Sequence, residues 1–224
     1  MNLGGKMFSD ESVFDRSGSD SVSSNVYNLV IGLTLLWGFA LNALMVHFIP
    51  ISAIQSIPMW IFLVGYFVSC IAGCLLFESS DDAFLSFIGY NLVVVPFGFV
   101  LNLVVSHYEP NIVFNAILVT GVVTAVMMFM STLFPSVFEK LGRTLTIALL
   151  ITIVVELIMI AVTGHSATWI DWIVVVLFCG YIGVDWYRAN NIPKTVDNAV
   201  DSAASLYMDI INLFVRILSI LGKK

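Results

Sequence analysis

Residues 144–164 read TLTIALLITIVVELIMIAVTG, from Thr144 to Gly164, an apolar run whose one ionisable residue is Glu156. As a helix rising 1.5 Å per residue, it spans about 30 Å, the hydrocarbon thickness of a bilayer. Lipid offers no partner to a backbone N–H or C=O, so such a segment must close its own hydrogen bonds as a helix. Working outward from it, six further runs of similar length appear at 26–48, 58–77, 84–106, 112–134, 169–188 and 202–221. Of 224 residues, 59% are hydrophobic and 11% charged, and mean hydropathy is +1.00. That leaves too few polar residues to cover a soluble domain. The runs are continuous, not alternating, which argues against a transmembrane β-barrel. The expected architecture is an all-α membrane protein with seven transmembrane helices, forming one domain over residues 26–222.

Short connections carry the orientation signal. With the N-terminus cytoplasmic, the inside segments hold Lys6, Arg16, Lys140, Arg143, Arg188 and Lys194. The outside segments hold only Lys223 and Lys224. The positive-inside rule therefore predicts a cytoplasmic N-terminus and an outside C-terminus. Trp60, Trp169, Trp172, Trp186 and Tyr187 fall near segment ends, as interface-anchoring aromatics do. Residues 1–25, rich in Ser, Asp and Gly, read as a flexible cytoplasmic tail. The first apolar run comes too late and is too long for a cleavable signal peptide. Met1-Asn2 is no myristoylation start. The net charge of −6 lies partly in this tail and implies no nucleic-acid partner. Cys70, Cys74 and Cys179 all sit within apolar runs and read as small packing residues.

Ionisable residues inside spanning helices are costly, and each requires a partner or a role. Those here are Glu156 in the fifth segment, Asp185 in the sixth, and Asp209 and Arg216 in the seventh. The sixth segment descends to the cytoplasmic side near Arg188, and the seventh returns from about Ser202. Asp185 then lies about one turn, and Asp209 about 10 Å, from that edge. The two carboxyls are on helices joined by a short turn and can meet. In contact and poorly solvated, both cannot ionise cheaply, so they are expected to share a proton and titrate as a pair. Glu156 and Arg216 lie at about 18 and 20 Å from the same edge. Matching depth allows a buried ion pair between them; equally, Arg216 snorkels outward and Glu156 is protonated or bonded to Thr or Asn. Small residues (Ala199, Ala203, Ala204, Ser205) and polar ones (Asp209, Asn212, Arg216) make the seventh segment a central helix.

The stretch Ala204-Ser205-Leu206-Tyr207-Met208-Asp209-Ile210-Ile211-Asn212-Leu213-Phe214 resembles the final-helix signature of the transmembrane Bax inhibitor motif family, approximately A-x-x-L-Y-L-D-x-I-N-L-F. Tyr181-Ile182-Gly183-Val184-Asp185 resembles the family's sixth-helix aspartate segment, and the interval of 24 residues from Asp185 to Asp209 fits the spacing of the family's aspartate pair. The likeness spans residues 26–222, with its specific motifs in the last forty. It implies two three-helix layers around a central C-terminal helix. It also implies, in bacterial members, a pH-sensitive calcium leak gated by the aspartate pair. Eukaryotic members are associated with suppression of cell death and intracellular calcium handling. Bacterial relatives can carry basic residues near the end of helix two, where this chain reads Phe77-Glu78-Ser79-Ser80-Asp81-Asp82. An arginine acting on the aspartate pair from there is therefore in doubt.

His47, His107 and His165 fall at the outer ends of odd-numbered segments, and Glu109 and Asp171 share that face. One account is an outer vestibule that concentrates cations; the plainer one is that polar residues mark helix ends. Pro96 and Gly98 are expected to kink the third segment. Asn42, Asn91, Asn102 and Asn115 read as interhelical glue. Enzyme classes fit poorly. The G-x-G-D and Tyr-Asp motifs of an intramembrane aspartyl protease are missing, as is a G-x-S-x-G nucleophile segment. There is no lysine deep in the last segment for a retinal Schiff base, and no P-loop. The expected function is a passive, pH-sensitive calcium leak, with Asp185 and Asp209 as its gate. It is expected to use no cofactor or resident metal, to reside in a bacterial cell membrane, and to act on calcium ions and protons. The alternative is a non-conducting membrane regulator that binds other membrane proteins, such as proteases or cell-death factors.

Overall fold

The computed structural model describes residues 21–165 and 167–223, apart from the side chains of residues 77–79. Residues 1–20 of the segment read as a tail lie outside the described residues. Among the described residues eight helices follow one another: α1 (Ser24–Phe48), α2 (Ile51–Gln55), α3 (Met59–Ser79), α4 (Ala83–Val105), α5 (Pro110–Leu133), α6 (Pro135–Thr163), α7 (Thr168–Asn191) and α8 (Val196–Gly222). All but the short α2 are long and apolar enough to cross a membrane, giving seven such helices among the described residues. They correspond one to one with the seven apolar runs.

The helix ends differ from expectation for local reasons. Ser23 caps α1, its hydroxyl accepting the Val26 N–H at 3.3 Å, and the Val22 N–H donates to the Lys194 carbonyl at 2.7 Å. Residues 21–25 are thus tied down, not part of a loose tail. α6 begins at Pro135, nine residues before the apolar run at Thr144, because proline at the first helical position presets φ. Its polar opening turns, with Glu139 four residues before Arg143, are sustained beyond the hydrocarbon. Gly164 ends α6 in the left-handed conformation at φ 78°, its N–H bonded to the Ile160 carbonyl. α8 begins at Val196, not Ser202: the Thr195 hydroxyl accepts the Asn198 N–H at 3.1 Å, and Asp197 in the first turn suits the positive helix end. α4 runs unbroken through Pro96.

Two compact units are formed. The first holds α1–α4 with Asn191–Ala204, which includes the start of α8. Asn102 Nδ2 donates to the Met45 and Ile49 carbonyls at 3.2 and 2.9 Å, and Trp37 Nε1 donates to Asn91 Oδ1 at 3.0 Å. Two of the four asparagines read as glue therefore join α4 to α1 and the residue that follows it; Asn115 is exposed. Gly98 lets Met45 and Asn42 of α1 lie against the α4 backbone. The second unit holds α5–α7 and α8 from Ser205 onward. There Phe138, Leu145, Leu177 and Val184 form a buried apolar cluster. α3 and α6 bury the least of their spans, and α8 the most. The exposed apolar side chains of α3 and α6, such as Phe67, Ile71, Leu150 and Leu157, suit lipid contact.

Gly180 and Gly183 decide how closely α7 approaches α6. A Cβ on Gly183 would overlap the buried Phe138 ring, and one on Gly180 would fall 2.9 Å from Leu145 Cδ1. Gly183→Val is expected to lower stability by about 1–3 kcal/mol, since the added side chain would meet the buried Phe138 ring. Thermal unfolding in detergent, followed by size exclusion, measures it; an unchanged midpoint would show that the ring moves freely.

Candidate functional site

The second unit gathers all four intramembrane charges read from the sequence, in two clusters along α8. In the first, Asp185 of α7 and Asp209 of α8 face each other with their carboxyls within hydrogen-bonding reach. Asp209 is 7% exposed, and the Asp185 side chain 13%. Asp209 Oδ2 is buried and receives no hydrogen bond from any described N–H or O–H. Arg188, one turn after Asp185, brings Nη1 to 3.5 Å from Asp185 Oδ1, a long contact from a side chain 38% exposed. The backbone just before Asp185 is closely packed. Gly183 is flanked by Phe138 on α6, and its carbonyl accepts the Ser131 hydroxyl of α5 at 2.6 Å. This stretch of α7 is therefore packed on two sides just before Asp185.

In the second cluster, Arg216 of α8 forks onto Glu156 of α6, with Nη1 and Nη2 at 2.7 Å from Oε1 and Oε2. Its Nη1 also donates to Asp171 Oδ1 of α7 at 2.8 Å. Asp171 Oδ2 takes Lys223 Nζ at 2.7 Å and the Ser219 hydroxyl at 3.2 Å. Two acids and two bases leave the cluster neutral, a condition for burying charge. The paired arrangement of Glu156 and Arg216, not the snorkelling one, is the geometry present. The clusters share one antiparallel register. Asp171 lies fourteen residues before Asp185 on α7, and Lys223 fourteen after Asp209 on α8, about 21 Å along each helix.

Of the residues grouped as an outer vestibule, Asp171 departs from expectation. Its side chain is only 2% exposed, with both oxygens committed to Arg216, Lys223 and Ser219. From the first turn of α7 it faces the bases of α8. Glu109, His107 and His165 are exposed, and the His165 ring meets the Thr163 carbonyl at 2.9 Å. His47, in the other unit, stacks edge-on against Phe48 at 4.7 Å. Among the described residues, no three His, Cys, Asp or Glu stand close enough to hold a metal ion.

Several polar groups were not singled out in the sequence. Lys223 and Ser219 complete the second cluster. Asp197 and Asp201, in the opening turns of α8, are buried in the first unit, where the Ser86 hydroxyl donates to Asp197 Oδ1 at 2.7 Å. Nearby, the Tyr27 hydroxyl meets Ser202 Oγ at 3.0 Å. They were missed because the last helix was read as starting at Ser202. Thr195 followed three residues later by Asn198, with Asp197 between, was the signal for an earlier start.

Seven apolar helices, with their buried charges gathered on the last ones, define a multi-pass integral membrane protein. The sequence model of the family described as Inhibitor of apoptosis-promoting Bax1 matches residues 19–224, and the chain belongs to that family. It is 26% identical to an uncharacterized protein of Helicobacter pylori strain J99, over 96% of this chain and 92% of that one. It is 27% identical to Protein LIFEGUARD 3 of Arabidopsis thaliana, over 86% and 80% of the two chains. Bax inhibitor 1 of Schizosaccharomyces pombe is 29% identical, over 73% of this chain and 62% of its own.

Proposed function

We propose that this protein is a passive, pH-sensitive calcium leak of a bacterial cell membrane, gated by proton sharing between Asp185 and Asp209. The observation that carries the reading is the buried Asp209 Oδ2, which no described donor serves, beside the carboxyl of Asp185, whose side chain is 13% exposed. A proton held between the two supplies the missing hydrogen bond and removes one charge. Loss of that proton leaves two negative charges in contact. At about 4 Å and an effective dielectric near 20, their repulsion is about 4 kcal/mol. That is enough to shift a two-state element strongly from one arrangement to the other. The element is the contact of α7 with α8, whose Asp185 and Asp209 lie on either side of the turn at Ile192–Thr195.

Calcium is the transported ion, not a resident one. It prefers six to eight oxygens, so two carboxylates make only a weak site, and weak binding is what a leak needs. The charge bias of the loops supports a cytoplasmic N-terminus, with the aspartate pair in the cytoplasmic half. No catalytic step is assigned. The test is calcium flux against pH from purified protein in liposomes loaded with a calcium dye. Flux that varies with pH is expected; none at any pH would overturn the leak. The name of the fission-yeast relative, Bax inhibitor 1, favours a second reading as a non-conducting regulator that binds membrane partners. Absence of flux is the result that this reading expects.

A further inference from the structure

Between residues 205 and 223, every serine, aspartate, asparagine, arginine and lysine falls on one stripe of α8 and its immediate end: Ser205, Asp209, Asn212, Arg216, Ser219 and Lys223. The spacing alternates four and three, so at 3.6 residues per turn all six stay within about 40° of one line. Such a stripe on a largely buried helix is costly unless polar partners or water meet it. Partners meet it at two levels: Asp185 at Asp209, and Glu156 with Asp171 around Arg216. Arg216 stands two turns beyond Asp209, in the middle of the stripe. Its guanidinium is held there by three hydrogen bonds that it donates, two to Glu156 and one to Asp171. A fixed positive charge on this stripe is a barrier to any cation that would follow it. With Lys223 it also cancels both carboxylates, so no net negative charge remains at that level to draw a divalent ion in.

We propose that Arg216 is the charge-selecting plug of the leak: a tethered cation held across the polar stripe of α8 by Glu156 and Asp171, distinct from the Asp185–Asp209 latch. This rests on the leak reading given above. A divalent ion carries the same charge as Arg216 and Lys223 together, so it can replace both side chains at this level with no change in net charge. Once the guanidinium swings aside, Glu156, Asp171 and Ser219 line the path with oxygens, too few to hold calcium tightly. The latch answers to protons, and the plug sets which charge passes.

Calcium efflux from proteoliposomes at matched pH tests this on the full chain with Arg216→Gln, Arg216→Lys and the double variant Glu156→Gln/Arg216→Gln. Both variants that lack the positive charge are expected to leak about tenfold or more above the unaltered protein, while Arg216→Lys, which keeps the charge but not the fork onto Glu156, falls between. The double variant leaves Asp171 balanced by Lys223. It therefore stands in for Arg216→Gln if the uncompensated single change does not fold, as judged by size exclusion. If the unaltered protein shows flux that depends on Asp209 but neither neutral variant exceeds it, the plug is overturned and the leak reading stands. If nothing passes calcium, the leak reading fails and takes the plug with it.

Discussion

Asp209→Asn is expected to abolish the change in calcium flux that accompanies loss of the shared proton, leaving one rate wherever Asp185 is ionised. Asparagine has the shape of the protonated acid and cannot lose a proton. Its amide can donate to Asp185, so the pair keeps the hydrogen-bonded, singly charged arrangement wherever Asp185 is ionised. The constant rate of the variant should equal the rate of the unaltered protein where the proton is shared. Asp185→Asn should act alike, because apparent titration belongs to the pair and not to either member. The two differ in one respect. Arg188 lies 3.5 Å from Asp185 and loses its carboxylate only in the second variant; a contact this long and this exposed is worth little. Flux against pH for both variants in liposomes is the measurement. An unchanged pH response in Asp209→Asn would remove the latch, whatever the flux itself shows.

The second large effect is on stability. Asp171→Ala is expected to destabilise the protein by about 3 kcal/mol, because it removes one partner from a buried charge network. The Asp171 side chain is 2% exposed and joins Arg216, Lys223 and Ser219. Without it the cluster changes from neutral to a net positive charge. Arg216 keeps both of its bonds to Glu156, which limits the loss. Asp171→Asn retains an acceptor oxygen and should cost less, about 1–2 kcal/mol. Lys223→Ala should cost under about 1 kcal/mol, since that side chain is 38% exposed and reaches water readily. Thermal unfolding in detergent should therefore rank Asp171→Ala below Asp171→Asn, and that below Lys223→Ala. An Asp171→Ala protein as stable as the unaltered one would mean that the network contributes nothing to the fold.

The seven spanning helices were legible in the sequence because the demand that lipid makes is local. Each segment must be long enough and apolar enough by itself, whatever its neighbours are. For the same reason the charges that break the apolar runs, Glu156, Asp185, Asp209 and Arg216, stood out as groups in need of partners. Depth arithmetic matched Asp185 to Asp209, because adjacent helices joined by a short turn leave little choice. It left Glu156 and Arg216 with two readings and assigned Asp171 to the surface. Counting residues orders groups along the membrane normal, but it does not say which way each helix turns them around its axis. Only the packing of α6, α7 and α8 decided that Asp171 faces inward, and that Lys223, counted as an outside tail charge, closes the cluster. The helix ends were likewise settled by capping and by proline at Pro135 and Thr195, where polar side chains satisfy a backbone that hydropathy does not register. What a segment needs from its solvent is written in its own residues; which partner satisfies a buried charge depends on rotations that only the assembled helices fix.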